Sequence, residues 1–238
     1  MSDSCQVAIV AAIEREVWPL VKEWPASRRD FDGRSFKFFV KDGVVVVCGG
    51  IGPEAARRAA EAIITLYRPA LLISAGFAGA LDSTLELGQI QKPRYVINAS
   101  DGSRTDCGSG RGSLVSFDHV ADAEQKARLG LAYGAQTIDM EAAAVARAAE
   151  AHGLRFLACK VISDTSTSSL PPIAGFVGSD GKFHVLRFMA YVAVRPWLWF
   201  TVMRLANDSA MAANKLCSAL AQNFEFSSRD SDLRVLTR

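Results

Sequence analysis

Three acidic side chains stand just after apolar runs of strand length: Glu16 after VAIVAAI, Glu141 after QTID, and Asp164 after LACKVIS. If they converge, they supply a base, a hydroxyl acceptor and a proton donor in one cleft, and crowding plus burial pushes their pKa values apart. Each position also has an ordinary explanation. An acid at Glu16, in the first turn of a helix, gains from the helix dipole wherever it points. Asp139 is placed to cap the helix that follows it, a role worth about 1 kcal/mol. Asp164, before TSTSS, has the composition of a turn or cap.

The elements that must carry these acids are legible as alternating strands and helices. Val7–Ile13 reads as a buried strand and Glu14–Trp24 as a helix with Val17, Leu20, Val21 and Trp24 on one face. RSFKFFV and GVVVVCGG flank Lys41-Asp42-Gly43 and predict a hairpin. Pro53 opens a helix that runs to Tyr67, and ALLISAG follows as a strand. Gln89–Asn98 reads as strand, 99–112 as a mobile loop, SLVSF as strand, Asp122–Tyr133 as helix, AQTID as strand, and RFLACKVISD as the last strand. Two helices, Val185–Val194 and Pro196–Asn223, precede a polar tail from Glu225 that is expected to be poorly ordered. This pattern predicts one α/β domain over residues 1–224, with a mainly parallel sheet covered on both faces. In such sheets ligands bind beyond the carboxyl ends of the strands. That places Glu14–Val17, Gly49–Pro53, Gly76–Gly79, Asp118–Val120, Asp139–Glu141 and Ser163–Asp164 at the candidate site.

Composition narrows the function classes. Of 238 residues half are apolar, and 27 basic residues against 25 acidic ones give a net charge of +2 with no basic block, which argues against a nucleic-acid partner. Five scattered cysteines, with no CxxC pair and no histidine set of zinc-ligand spacing, fit a reducing compartment and predict no metal and no cofactor. The start of the chain lacks a signal-peptide pattern, so a cytoplasmic location is expected. Leu186–Leu205 is apolar, but Arg195 near its middle and Pro196 argue against a membrane span. His119, His152 and His184 have no spacing partners and read as incidental.

Taken together, AAIEREV, GGIGPEAA, SAGFAGALDSTLELGQI and DMEAAAVARAAEAHGLRFLACKVISD resemble the purine nucleoside phosphorylase superfamily, and within it the methylthioadenosine/S-adenosylhomocysteine nucleosidases. The resemblance runs in order from about Val7 to Asp164. It implies a three-layer α/β fold with a central twisted mixed sheet and a cleft for a nucleoside. Residue by residue, it makes Glu16 the acid that activates water, Glu141 the carboxylate on the ribose hydroxyls, and Met140 an apolar wall beside the sugar. Asp164, beside Ser163, becomes the acid that meets the purine at N7. The catalytic candidates are therefore Glu16 and Asp164; the substrate-binding candidates are Glu141, Met140, Phe77, Ala78, Val120, Ser163 and Gly52.

The departures from that pattern bear on substrate and acceptor. Phe77 stands where the nucleosidases carry a serine, and the segment from Gly88 to Ser113 is shorter than theirs. No arginine lies in SAGFAGAL, which favours water over phosphate unless Arg15, Arg104 or Arg111 reaches the site from elsewhere. The C-terminal third, GFVGSDGKF and VAVRPWLWFTVMRLANDSAMAANKLCSAL, looks like the hopanoid-associated phosphorylase branch. That likeness implies an adenine nucleoside with a bulky 5' group such as adenosylhopane, with Phe188, Tyr191, Trp197, Trp199 and Phe200 either as an apolar approach in contact with lipid or as core and dimer interface. The family likeness also implies a homodimer or larger. The competing expectations are a methylthioadenosine/S-adenosylhomocysteine nucleosidase proper and a nucleoside-binding protein without turnover.

Overall fold

Val7–Ala11 forms strand β1, buried at every position because its alternate residues serve two faces of one sheet. Ala8 and Val10 join the alanine-rich core beneath helices α2 (Pro53–Tyr67) and α4 (Ala142–Ala151). Val7, Ile9 and Ala11 join the core beneath α1 (Glu14–Val21) and α5 (Pro196–Arg229). A continuous apolar run is what a strand covered on both sides requires. The computed structural model describes residues 5–168, 173–176, 178, 181, 184, 187, 188, 191 and 195–229.

The remaining strands are β2 (Ala26–Phe31), β3 (Arg34–Lys41), β4 (Val44–Cys48), β5 (Leu71–Ala80), β6 (Ile90–Gln91), β7 (Tyr95–Asn98), β8 (Arg104–Asp106), β9 (Ser113–Ser116), β10 (Thr137–Asp139) and β11 (Arg155–Asp164). They form one mixed sheet in the order β2-β3-β4-β1-β5-β10-β9-β7-β8, with β11 also on β5 and β6 on β11. Helix α3 (Ala123–Tyr133) lies between β9 and β10 in the chain, with a small apolar cluster around Ile97, Val115, Ala135 and Ile138 near it.

Several boundaries differ from expectation, each for a local reason. The first helix ends at Val21 rather than Trp24; Pro25 disfavours helical geometry at the residue before it. The hairpin at Lys41-Asp42-Gly43 forms, but β3 also pairs with β2, an edge strand whose residues are almost all exposed. The segment 99–112, expected as a loop, contains β8, which pairs antiparallel with β7. The stretch 89–98 divides into β6 and β7. Helix α5 runs on to Arg229, past Glu225 where the polar tail was expected to begin. Most of the helix expected at Val185–Val194 lies outside the described residues.

The sheet is also less parallel than the sequence suggests. Strands β4, β1, β5 and β11 run parallel to one another, as do β7, β9 and β10. The two blocks meet antiparallel where Ile138 pairs with Gly79. The end of β10 therefore turns back toward the middle of β5 instead of stopping level with the end of β11.

Candidate active site

Glu16 sits in the first turn of α1 and folds its carboxylate inward. Its Oε2 accepts from the backbone N–H groups of Ala12 at 2.9 Å and Ile13 at 3.1 Å, and its Oε1 accepts from Phe77 N–H at 3.0 Å. The helix-start role and the inward-facing role thus coincide. Glu16 is buried, and burial raises its pKa against the opposing effects of the Phe77 bond and the Lys160 charge. Gly76 makes the approach feasible: a Cβ there would lie 2.8 Å from Glu16 Oε1. Phe77 provides a polar contact to this acid through its backbone N–H.

Lys160, which the sequence reading passed over, lies between the acids. It interrupts β11 with its ammonium buried, 2.8 Å from Asp139 Oδ2 and 3.1 Å from Ser74 Oγ on β5. Desolvation pulls its pKa down, but the charges of Asp139, Glu141 and Glu16 outweigh that and hold it above the usual lysine value. A lysine inside an otherwise apolar strand was the available signal, because an unpaired ammonium cannot stay in such a place. Asp139 does act on the helix start, accepting from Ala142 N–H at 2.9 Å, and it also receives Ser116 Oγ–H at 2.5 Å. Capping and ion pairing share one carboxylate.

Glu141 stands at the start of α4, half-buried. Its Oε1 accepts from Gly52 N–H at 2.8 Å. Gly52 caps α2 at φ 97°, a conformation that favours glycine. The carboxylate therefore lies where two helix N-termini meet, a favourable place for an anion. Burial, then the neighbouring Asp139 charge, nonetheless push Glu141 up to about 7. Met140 N–H points at its other oxygen at 3.3 Å, and the Met140 side chain is half-buried beside it.

Asp164 ends β11 beyond a register shift between Ile162 and Asp164. It is buried, receives Ser163 Oγ–H on Oδ1 at 2.8 Å, and forms an ion pair with the buried Lys126 of α3 through Oδ2. Gly79 opposite leaves it room, since a Cβ there would lie 2.9 Å from Oδ2. The glycines of SAGFAGAL thus each accommodate one of the protein's own acids. Lys126 gave no sequence signal, being the one fully buried residue of a helix whose other residues are exposed or half-buried.

The structure gathers Glu16, Glu141 and Asp139 around Lys160, with Phe77, Ala78 and Gly52 in the same strand-end region. Asp164 and Ser163 lie further along β11, where Ser163 Oγ also lies 3.3 Å from Ala78 O. Val120, half-buried, follows β9 in the loop leading to α3. The arginines considered for an anion are placed elsewhere: Arg15 bonds Ala206 O at 2.7 Å, Arg104 stacks 3.5 Å from the Tyr95 ring centre, and Arg111 lines a cavity with Ser113 and Thr137, at the starts of β9 and β10. His119 pairs with Asp118 at 2.6 Å and His152 with Glu61 at 2.8 Å.

Of the C-terminal aromatics, Phe188 and Tyr191 pack edge-on against Phe176, whereas Trp199 and Phe200 are exposed. The Trp197 side chain lies outside the described residues. Among the described residues no helix is long and apolar enough to cross a membrane, and no cluster of three or more His, Cys, Asp or Glu is arranged to hold a metal. The five cysteines are unpaired.

Comparison with known proteins agrees with this architecture. A family model described as the phosphorylase superfamily matches residues 6–132 and 111–172. A 5'-methylthioadenosine/S-adenosylhomocysteine nucleosidase of Treponema pallidum is 27% identical over 177 residues, covering 51% of this chain and 66% of that protein. The chain thus matches just under two thirds of that relative's length. The apo 5'-methylthioadenosine nucleosidase of Arabidopsis thaliana superposes with a TM-score of 0.69 at 18% identity, over 93% of this chain and 95% of that one. A nucleosidase of the same kind from Colwellia psychrerythraea 34H, in complex with adenine, gives 0.60 at 21% identity over 68% and 83%. At these identities the structural likeness establishes the fold.

Proposed function

The chain belongs to the phosphorylase superfamily, and from that premise we propose that it cleaves the N-glycosidic bond of an adenine nucleoside, with water as the acceptor. The observation that carries this reading is the group of Glu16, Asp139 and Glu141 around one buried ammonium, Lys160, with Asp164 beyond it on the same strand. Glycosidic cleavage passes through an oxocarbenium-like sugar. A held ribose, a base that activates water and a group that assists the departing purine each lower its barrier, and a positioned acid or base contributes about 10²- to 10⁴-fold.

Glu16 is fixed by three backbone donors and made more basic by burial. In this reading it takes the proton of the attacking water. Glu141 holds the ribose hydroxyls with Met140 beside the sugar. Asp164, with Ser163 beside it, takes up a proton before the step and passes it to the purine N7 as the bond to the sugar breaks. The proton that Glu16 gains from water balances the turnover. Three acidic side chains facing one lysine disfavour a phosphate dianion, which supports water as the acceptor.

For the 5' group, the nucleosidase relatives support methylthioadenosine or S-adenosylhomocysteine. A bulky apolar group such as that of adenosylhopane is the finer alternative, favoured by the exposed Trp199, Phe200 and Met203 on α5. The deciding experiment measures adenine released by the purified chain from methylthioadenosine, S-adenosylhomocysteine and adenosylhopane, with and without phosphate, and identifies the sugar product as free or phosphorylated. Release from none of them sinks the reading. Tight adenine binding without turnover would point instead to a nucleoside-binding protein.

A further inference from the structure

Helix α3 buries a lysine where a helix ordinarily buries apolar side chains. Lys126 carries three N–H donors, and each has an acceptor within the protein: Asp164 Oδ2, the carbonyl of Thr165 at 2.8 Å and the carbonyl of Ser168 at 3.3 Å. The two carbonyls belong to a turn that closes on itself. Ser168 N–H donates to Thr165 O at 3.1 Å, Thr165 N–H donates to Ser168 Oγ at 3.2 Å, and the two hydroxyls lie 2.6 Å apart. With all its donors engaged, Lys126 has none to offer a ligand. Removing an ammonium from water is costly, and an apolar residue of similar volume would anchor α3 without that cost.

What the lysine does provide is direction. The register shift after Ile162 re-aims the end of β11, as bulges beside functional sites do, and Gly79 leaves the space into which the Asp164 carboxylate turns. Ser163 then fixes Oδ1 and Lys126 fixes Oδ2, so the carboxylate is held at both oxygens. A charge-assisted bond is the stronger of such restraints.

We propose that Lys126 is a positioning residue for cleavage at this site: it aims the Asp164 carboxylate at the departing base and pins the 165–168 turn behind it. The inference rests on the function proposed above. Its effect on cleavage passes through Asp164, which the turn only backs, so that effect belongs in kcat and disappears when Asp164 is already disabled.

The test measures single-turnover and steady-state adenine release for wild type, Lys126→Met, Asp164→Asn and the double variant, with adenine binding by calorimetry as a check on the folded site. Lys126→Met is expected to lower kcat by about 10²-fold with KM within about threefold, since misplacement by about 1 Å costs that much. Asp164→Asn and the double variant should agree within about threefold, the non-additivity of groups that act as a unit. Should Lys126→Met fail to fold, the pair of Asn variants decides alone: a further drop of about tenfold or more on adding Lys126→Met overturns the inference. Wild-type turnover with an unchanged kcat in Lys126→Met, or a change in KM alone, also overturns it while leaving the proposed function intact. A wild-type chain that releases no purine overturns both.

Discussion

Replacing Lys160 by methionine removes the buried ammonium that faces Glu16, Asp139 and Glu141, and the structure sets the size and the pH dependence of the result. The side chains of Lys160 and Asp139 are 2% and 0% exposed. Breaking a buried pair by deleting one partner costs about 3–5 kcal/mol, because the remaining charge is left uncompensated. In a domain of this size each kcal/mol moves Tm by about 2–4 °C, which places the expected fall at about 6–20 °C. Lys160 has its pKa raised in the folded chain, so its contribution is fully present at pH 8, below the ordinary lysine value.

The same ammonium lowers the pKa values of Glu16 and Glu141 against their burial. Without it both acids titrate higher still, and acidification from pH 8 to 5.5 lets them take up protons and recovers part of the loss. Denaturant unfolding of Lys160→Met at the two pH values measures this. The double variant with Asp139→Asn, which keeps an oxygen for Ala142 N–H, should regain much of the stability. A variant within about 1 kcal/mol of wild type at pH 8, or one equally impaired at both pH values, would refute the assignment of Lys160 as the counter-charge of the group.

Three further outcomes follow from the same geometry. Glu16→Gln should lower kcat for adenine release by about 10²- to 10⁴-fold with little change in KM, and an unchanged kcat would remove Glu16 as the base. Glu141 keeps its proton up to about 7 in the folded chain against an ordinary 4.5. The folded state therefore binds more protons between those values, and stability falls as pH rises through that window. Glu141→Gln should flatten this part of the stability profile, and an unchanged slope in denaturant titrations would contradict the assignment. Gly79→Ala would place a Cβ 2.9 Å from Asp164 Oδ2 and 3.1 Å from Ile138 Cγ2. A loss of about 1–3 kcal/mol and a lower kcat are expected, measured by thermal unfolding and adenine release.

The sequence made the sheet core plain, since VAIVAAI, VVVVC and ALLISAG can only be covered on both faces, and Pro53 marked the start of α2 at the residue where it begins. It concealed β2, because ASRRDF faces solvent and carries no alternation. The antiparallel join of β10 to β5 was equally hidden: a three-residue strand has too few side chains to declare its direction. That join also hides part of the site. Glu16, Glu141 and Asp164 were visible as acids at strand ends, but the reversal of β10 brings Asp139 and Glu141 to Lys160, a residue near the middle of β11's partly apolar run. Lys126 was hidden for a different reason: an amphipathic pattern marks a buried face by its apolar side chains, and α3 buries a charged one.

Helices α2 and α4 are in contact, and what both bury in the shared core is largely alanine, including Ala56, Ala59, Ala60, Ala142, Ala146 and Ala149. Small side chains permit interaxial distances near the short end of the usual range of about 8–10 Å. Both helices begin at the site, one at the Gly52 N–H and the other at the Glu141 carboxylate bonded to it. The gap between these two groups is consequently a dimension of the whole helix pair, set in part by the methyl groups along both helices. A valine in place of Ala146, buried on α4, would perturb that spacing without replacing Gly52, Met140 or Glu141.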